Sequence, residues 1–220
     1  MKRITYKLFS ILLVLILGLG ISCNKDGDLE KESQSDEPIE YFTYFNGGIT
    51  GLTQEGQLQR ILTVPTEING KKITYIGSNA FEDCSALQEI TLLEGVTRIE
   101  ENAFSGCTAL SKITLPSTIE LINDNAFYLC VSLKEIALPK SLALIDQDAF
   151  YGCNALEKIV YDGSFKDWQE IDIHQDWSLN ANSIILDCNG AIYQYGFEDW
   201  EKVEQPQQQV LGVERDPSKS

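Results

Sequence analysis

The chain predicts a solenoid, a stack of near-identical coils made mostly of β-strand with one short helical turn in each. Three observations predict it. The phrase Ala-Phe-x-x-Cys occurs four times, at Ala80-Phe81…Cys84, Ala103-Phe104…Cys107, Ala126-Phe127…Cys130 and Ala149-Phe150…Cys153, each 23 residues after the last. Three aliphatic columns keep the same interval: Ile76, Ile99, Ile122, Ile145; Leu87, Leu110, Leu133, Leu156; and Ile90, Ile113, Ile136, Ile159. No insertion disturbs the interval across these copies, as stacking demands, because one extra residue would displace every later column from its neighbours.

The elements follow in order. Residues 1–22 carry Lys2, Arg3 and Lys7, then the apolar run Leu8 to Ile21, and read as a secretory signal peptide. The run could barely span a membrane, and no second stretch of spanning length follows. Ser22-Cys23 resembles a bacterial lipoprotein cleavage site, which makes Cys23 the lipidated first residue of the mature chain. Gly20 stands where that pattern prefers leucine. Plain secretion with an incidental Cys23 is the other reading. Residues 23–40 are polar and rich in acid, with too little apolar surface to fold, so they read as a disordered tether. Their acidic start resembles the export signal of surface-displayed outer-membrane lipoproteins. A calcium loop is the poorer reading, since Leu29 occupies the place where the turn glycine is needed.

Residues 41–58 hold Tyr41, Phe42, Tyr44 and Phe45 before Asn46-Gly47-Gly48, the pattern of a β-hairpin cap. The repeats occupy 59–161. In the unit Leu110–Cys130, Ile113-Thr114-Leu115 alternates with period two, turning Ile and Leu inward and Thr114 outward. Pro116 ends that strand, because proline has no ladder donor. Ile119 and Ile122 make a second inward anchor on the return side. Asn125, in the column Asn79, Asn102, Asn125, Asp148, reads as the N-cap of a turn carrying Ala126, Phe127 and Cys130 inward. A degenerate first unit, Leu62-Thr-Val64-Pro65-Thr-Glu-Ile68, precedes these, with five extra residues around Asn69-Gly70 that predict a protruding hairpin.

The motif Leu-x-x-Ile-x-Leu-Pro, followed by an aliphatic residue, Ile and Ala-Phe-x-x-Cys, resembles the leucine-rich repeats of BspA-like bacterial surface proteins. That resemblance implies a leucine-rich-repeat solenoid of 23-residue repeats, capped by β-hairpins at both ends. It also implies adhesion to host matrix proteins or to other cells. Residues 162–203 contain Trp168, Trp177 and Trp200, whose large apolar area reads first as a seal on the last coil, and Asn189-Gly190, a hairpin signal. Residues 204–220 are glutamine-rich and polar and read as a disordered tail.

The whole chain carries a formal charge of −16. Without residues 1–22, which contain three basic and no acidic side chains, it keeps 14 Lys+Arg against 33 Asp+Glu. This excess repels nucleic acid and anionic lipid, so membrane attachment is expected through the lipid anchor alone. The cysteine ladder reads as small buried hydrophobes, with parallel Cβ vectors that disfavour disulfides. It offers no Cys-x-x-Cys and no histidine, so no metal is expected. The lone histidine, His174, has no nucleophile or second ligand beside it, and no phosphate loop, nucleophile elbow or dinucleotide fingerprint occurs. No catalytic residue and no cofactor are expected.

Function should then lie on the outward strand positions. One column is Glu89, Lys112, Glu135, Lys158, alternating in sign; the next is Thr91, Thr114, Ala137, Val160; Gln88, Ser111, Lys134 and Glu157 lie beside them. Opposite charges facing across strands also stabilise register, by ~0.2–1 kcal/mol per pair. With about five coils at ~4.8 Å spacing, the face is roughly 25 Å long and suits an extended protein partner. Two functions compete: adhesion through this face to a host matrix or bacterial surface protein, and scaffolding of an envelope complex without a host ligand.

Overall fold

A computed structural model describes residues 41–178, 184–195 and 200–203. The signal peptide, Cys23, the acidic tether and the tail from 204 lie outside the described residues.

Alternating apolar residues on short strands, returned by turns every 23 residues, wind the chain into six turns with three faces. The outer face holds β3 (Ile61–Val64), β7 (Glu89–Leu92), β9 (Lys112–Thr114), β11 (Glu135–Leu138), β13 (Lys158–Tyr161) and β15 (Ile185–Cys188). The return face holds β2 (Gly48–Leu52), β6 (Tyr75–Ile76), β8 (Arg98–Ile99), β10 (Leu121–Ile122), β12 (Leu144–Ile145) and β14 (Asp172–Ile173). Pairing along the return face is parallel and unbroken from β2 to β14, with Ile76, Ile99, Ile122 and Ile145 in register and fully buried. Both faces continue past residue 161, so six turns stack rather than the five estimated from the repeat count.

The third face is the Ala-Phe-x-x-Cys turn. Here the structure corrects one expectation: Asn79, Asn102, Asn125 and Asp148 are not N-caps. All four are left-handed, with φ of 58°, 56°, 55° and 53°. Asn and Asp tolerate that region best among side-chain-bearing residues. The conformation lets successive N–H groups alternate in direction. Asn79, Phe81 and Asp83 donate to Glu101, Ala103 and Ser105 of the next coil, while Ala80, Glu82 and Cys84 donate backwards within their own turn. A second left-handed column follows at Asp83, Gly106, Leu129 and Gly152.

Inside, Phe81, Phe104, Phe127 and Phe150 form one file with no solvent exposure, their centroids 4.9, 5.3 and 5.2 Å apart and nearly parallel. Parallel rings at coil spacing are the arrangement that identical stacked windings require. Cys107, Cys130 and Cys153 are buried beside them, and each thiol donates to the carbonyl of Phe81, Phe104 or Phe127 in the preceding coil, at 3.0, 3.2 and 3.1 Å.

Asn-Gly turns place the hairpins. Asn46-Gly47, Asn69-Gly70 and Asn189-Gly190 all have positive φ at both residues, the geometry of a two-residue hairpin loop. They join β1 (Phe42–Phe45) to β2, β4 (Glu67–Ile68) to β5 (Lys71–Lys72), and β15 to β16 (Ala191–Tyr195). At the C-terminal end Trp177 meets Phe150 edge-on at 6.0 Å, and Trp168 lies edge-on to Tyr161 at 5.4 Å and to Trp200 at 6.0 Å. These rings cover the last coil. Ser164 opens the short helix Phe165–Trp168 with a capping box, its hydroxyl and the Asp167 side chain bonding each other's backbone N–H. Among the described residues no helix is long and apolar enough to cross a membrane.

Candidate interaction surface

Parallel pairing puts the expected outer residues into rows. Glu89 faces Lys112 and Thr91 faces Thr114 across β7 and β9; Glu135 faces Lys158 and Ala137 faces Val160 across β11 and β13. Ser111, Lys112, Thr114, Lys134, Glu135, Ala137, Glu157 and Gln88 are exposed, while Glu89, Thr91, Lys158 and Val160 are half-buried. The Ser111 hydroxyl donates to the Gln88 carbonyl at 3.2 Å, tying the adjoining column to its own neighbour.

The sign alternation yields one ion pair along the column. Lys112 lies 3.7 Å from Glu89, a distance at which an exposed pair contributes little. Lys158 does not pair with Glu135. It turns the other way to Asp187 on β15, at 2.9 Å. The hydrogen bond to Asp187 raises the Lys158 pKa, and the same ammonium, with the Gly190 N–H at 2.8 Å, holds the Asp187 carboxyl below its ordinary value. Among the described residues Glu135 has no ion-pair partner.

The outer face is also not one sheet. Strands β3, β7 and β9 form one sheet and β11, β13, β15, β16 and β17 (Trp200–Lys202) another, and no backbone hydrogen bond crosses between residues 111–115 and 134–138. Every other coil boundary on this face carries such bonds: Gln88 and Glu89 donate to Arg60, Ser111 and Lys112 to Gln88, Glu157 and Lys158 to Lys134. The strand alternation of a parallel ladder directs the N–H groups of Glu135 and Ala137 into this seam. Just before it, Ser132 occupies the column otherwise held by Ala86, Ala109 and Ala155, and its hydroxyl donates to the Thr108 carbonyl at 2.6 Å.

Beyond the strand ends lies an open groove of about 490 Å³, lined by Leu115, Ser117, Ala137, Leu138, Pro139, Val160, Tyr161, Asp162, Asp187, Asn189 and Gly190. Two of these, Ala137 and Val160, were expected from the outward columns; the others were not. The signal for them was present in the repeat: Pro139 follows the last residue of β11, and Asp162 breaks the column that Pro116 and Pro139 share.

Among the described residues no polar or charged side chain is buried, and no group of three or more His, Cys, Asp and Glu side chains could hold a metal ion. His174 is half-buried and its Nδ1 accepts the Asp176 N–H at 3.2 Å, so it helps build a turn rather than standing free on the surface. Burial raises the Cys107 pKa; at Cys130 a hydrogen bond with Cys153 is the first cause and burial the second; Cys188 is pushed up to about 11 by burial and by Asp187.

The sequence model of the BspA-type leucine-rich-repeat region matches residues 64–175 in six copies. This chain belongs to the BspA-type leucine-rich-repeat family. Among solved structures, this BspA-type chain is similar to the T. pallidum leucine-rich repeat protein TpLRR, with 29% identity and a TM-score of 0.52 over 70% of this chain and 64% of that one. It therefore spans less than two thirds of that structure's length. It is also similar to a leucine-rich repeat protein from Bacteroides capillosus, at 27% identity and a TM-score of 0.48, covering 56% of this chain and 93% of that one. The pneumococcal vaccine antigen PcpA is matched at 24% identity and a TM-score of 0.47, over 65% of this chain and 36% of its own. No curated protein matches.

Proposed function

We propose that this BspA-type repeat protein is a cell-surface lipoprotein, anchored in the outer membrane through Cys23, whose outer strand face binds a protein of the host matrix or of another bacterial surface. One observation carries the binding reading: apart from the exposed Ile61, Leu93 and Leu129, the large apolar side chains of the repeats pack into the core of Phe, Ile, Leu and Cys, while the polar side chains of the outer strands stand in straight rows. A partner in extended conformation meets such rows one coil at a time. The rows near the seam, Lys112 and Thr114 on one side and Glu135 and Ala137 on the other, are all exposed. Because Lys158 already serves Asp187, it is a poor probe of docking.

The test reverses two exposed charges of the face, Lys112→Glu with Glu135→Lys, which keeps net charge constant. Binding of purified mature protein to immobilised matrix extract should fall at least threefold with the melting temperature unchanged. Unaltered binding moves the site off the strand face. Protease treatment of intact cells should remove the protein, whereas protection assigns it to the periplasmic side and favours the scaffold role. A fatty-acid probe should label the protein and fail to label Cys23→Ala.

A further inference from the structure

The groove at the exit of strands β11 and β13 has a floor and a wall of different chemistry. Leu115, Ala137, Pro139 and Val160 make an apolar floor where Pro139 is buried and Ala137 exposed. The wall carries Asp162, exposed and without a hydrogen bond or ion pair to its side chain, and Asp187, whose charge Lys158 already neutralises. Its opposite rim is acidic as well, since Ser117 holds the Glu94 carboxylate through its N–H and its hydroxyl, both at 3.0 Å. Lys140, which follows Pro139 in the chain, is engaged with Asp167 at 3.2 Å. The groove thus has surplus negative charge over an apolar floor, and Ala137 in that floor belongs to the strand that borders the broken ladder. Its volume of about 490 Å³ falls within the ~300–1,000 Å³ typical of ligand sites.

We propose that this groove takes an extended peptide segment in which a Lys or Arg side chain reaches Asp162 while a neighbouring small apolar side chain covers Ala137 and Val160, with a peptide carbonyl available to the seam amides. The proposal rests on the strand-face reading of function and names the chemistry of the partner at one end of that face. Charge complementarity selects this occupant. A second copy, itself at −16, brings like charge to an acidic rim, and an apolar floor with a single unpaired carboxylate gives nothing to a polyanion.

Fluorescence anisotropy in 50 mM NaCl tests it with three labelled octapeptides: alternating Val-Lys, alternating Val-Glu, and alternating Ser-Lys. The Val-Lys peptide should bind and the other two bind at least tenfold more weakly. Asp162→Asn should weaken Val-Lys binding roughly three- to tenfold, and Ala137→Trp, which fills the floor from an exposed position, should abolish it. Glu101→Gln, the same charge change on the exposed return edge, should leave affinity within about twofold. Equal losses in Asp162→Asn and Glu101→Gln, or full binding by Ala137→Trp, overturn the proposal. So does self-association of the unlabelled protein in sedimentation that Ala137→Trp removes, which assigns the groove to a second copy. Matrix binding by the Lys112→Glu, Glu135→Lys variant separates the two failures. If matrix binding is lost there while no peptide binds, the groove assignment falls and the strand face stands. If matrix binding persists there while Asp162-dependent peptide binding holds, the groove stands and the strand-face reading falls.

Discussion

Coupling along the phenylalanine file should decay within one coil. Phe104 and Phe127 stack at 5.3 Å with an interplanar angle of 2°, and Phe127 and Phe150 at 5.2 Å with 13°. Phe→Leu at either position keeps an apolar side chain of similar bulk and removes ring stacking. Each stacked pair contributes about 0.5–1.5 kcal/mol beyond area burial, so Phe127→Leu, which loses two, should cost about 1–3 kcal/mol. Phe104→Leu and Phe127→Leu share one stack. The double variant should therefore be less destabilised than the sum of the singles by about 0.5–1.5 kcal/mol. Phe81 and Phe150 share none, being three coils apart along the file, and their changes should add to within ~0.3–0.5 kcal/mol. Urea unfolding with linear extrapolation measures all six variants, and an unchanged slope shows that each still unfolds as one unit. Additivity of the adjacent pair, or equal coupling in the distant pair, would refute a stack in which each coil touches its neighbours alone.

Four further outcomes follow from particular residues. Gly152 has φ +73°, and a Cβ there would lie 2.6 Å from Leu129 Cδ2; Gly152→Ala should cost about 1–2 kcal/mol, and Leu129→Gly in the same chain should recover the steric part, read by urea unfolding. Alkylation at pH 8 should modify half-buried Cys84 first and reach Cys107, Cys130 and Cys153 after denaturation, because those three thiols are buried away from the reagent, and burial also raises the pKa of Cys107 and Cys130, with mass spectrometry of tryptic peptides as the readout. Asp167 is held at about 2 against an ordinary 3.8, chiefly by the Ser164 hydroxyl and N–H and then by Lys140, so its native proton affinity is low; the stability it adds is present above pH ~4 and is lost as pH falls toward 2, and the wild-type advantage over Asp167→Asn should vanish there. Asp124 runs the other way: burial and Asp146 raise its pKa, so its ionised form destabilises the fold, and Asp124→Asn should stabilise the protein at pH 7 with the gain fading on acidification.

The regular part of the fold was legible because stacking converts spacing into position. Ile76, Ile99, Ile122 and Ile145 could be placed in one file without any structure, and the Asn-Gly pairs marked their hairpins for the same local reason each time. The Asn79 column misled because an asparagine before a turn fits two rules, side-chain capping and left-handed tolerance, and the choice depends on where the next coil's carbonyls lie. That is tertiary information. The outer columns were legible as columns, since period two determines which side chains face out. Their partners were not, because Lys158 can reach Glu135 or Asp187, and β15 enters the sheet from a segment outside the 23-residue interval. The groove was missed for a related reason: it is made where the repeat is irregular, at Asp162 and around Asn189-Gly190, while the reading followed what repeats.

In a solenoid the repeated residues bear the folding load, since each must fit the coil above and the coil below. Departures from the repeat are then the places where something other than stacking acts on the sequence. Three departures fall on one side of this molecule. Ser132 replaces the alanine of its column at the seam, Tyr161 replaces the leucine at the strand end, and Asp162 replaces the proline that follows. Tyr161 is buried and explained by its edge contact with Trp168. Ser132 and Asp162 lack any such packing account: one sits beside the broken ladder, and the other is an exposed carboxylate on the wall of the groove that the ladder's end opens onto. On the return face, where pairing is continuous, the inward column holds an unbroken run of isoleucines from Ile76 to Ile145. Two other departures, Leu93 in the proline column and Leu129 among Asp83, Gly106 and Gly152, fall away from the groove. Ser132 and Asp162 differ from those in flanking the seam and the groove, which makes the outer face, between its third and fifth strands and their exit turns, the place to test the proposed recognition.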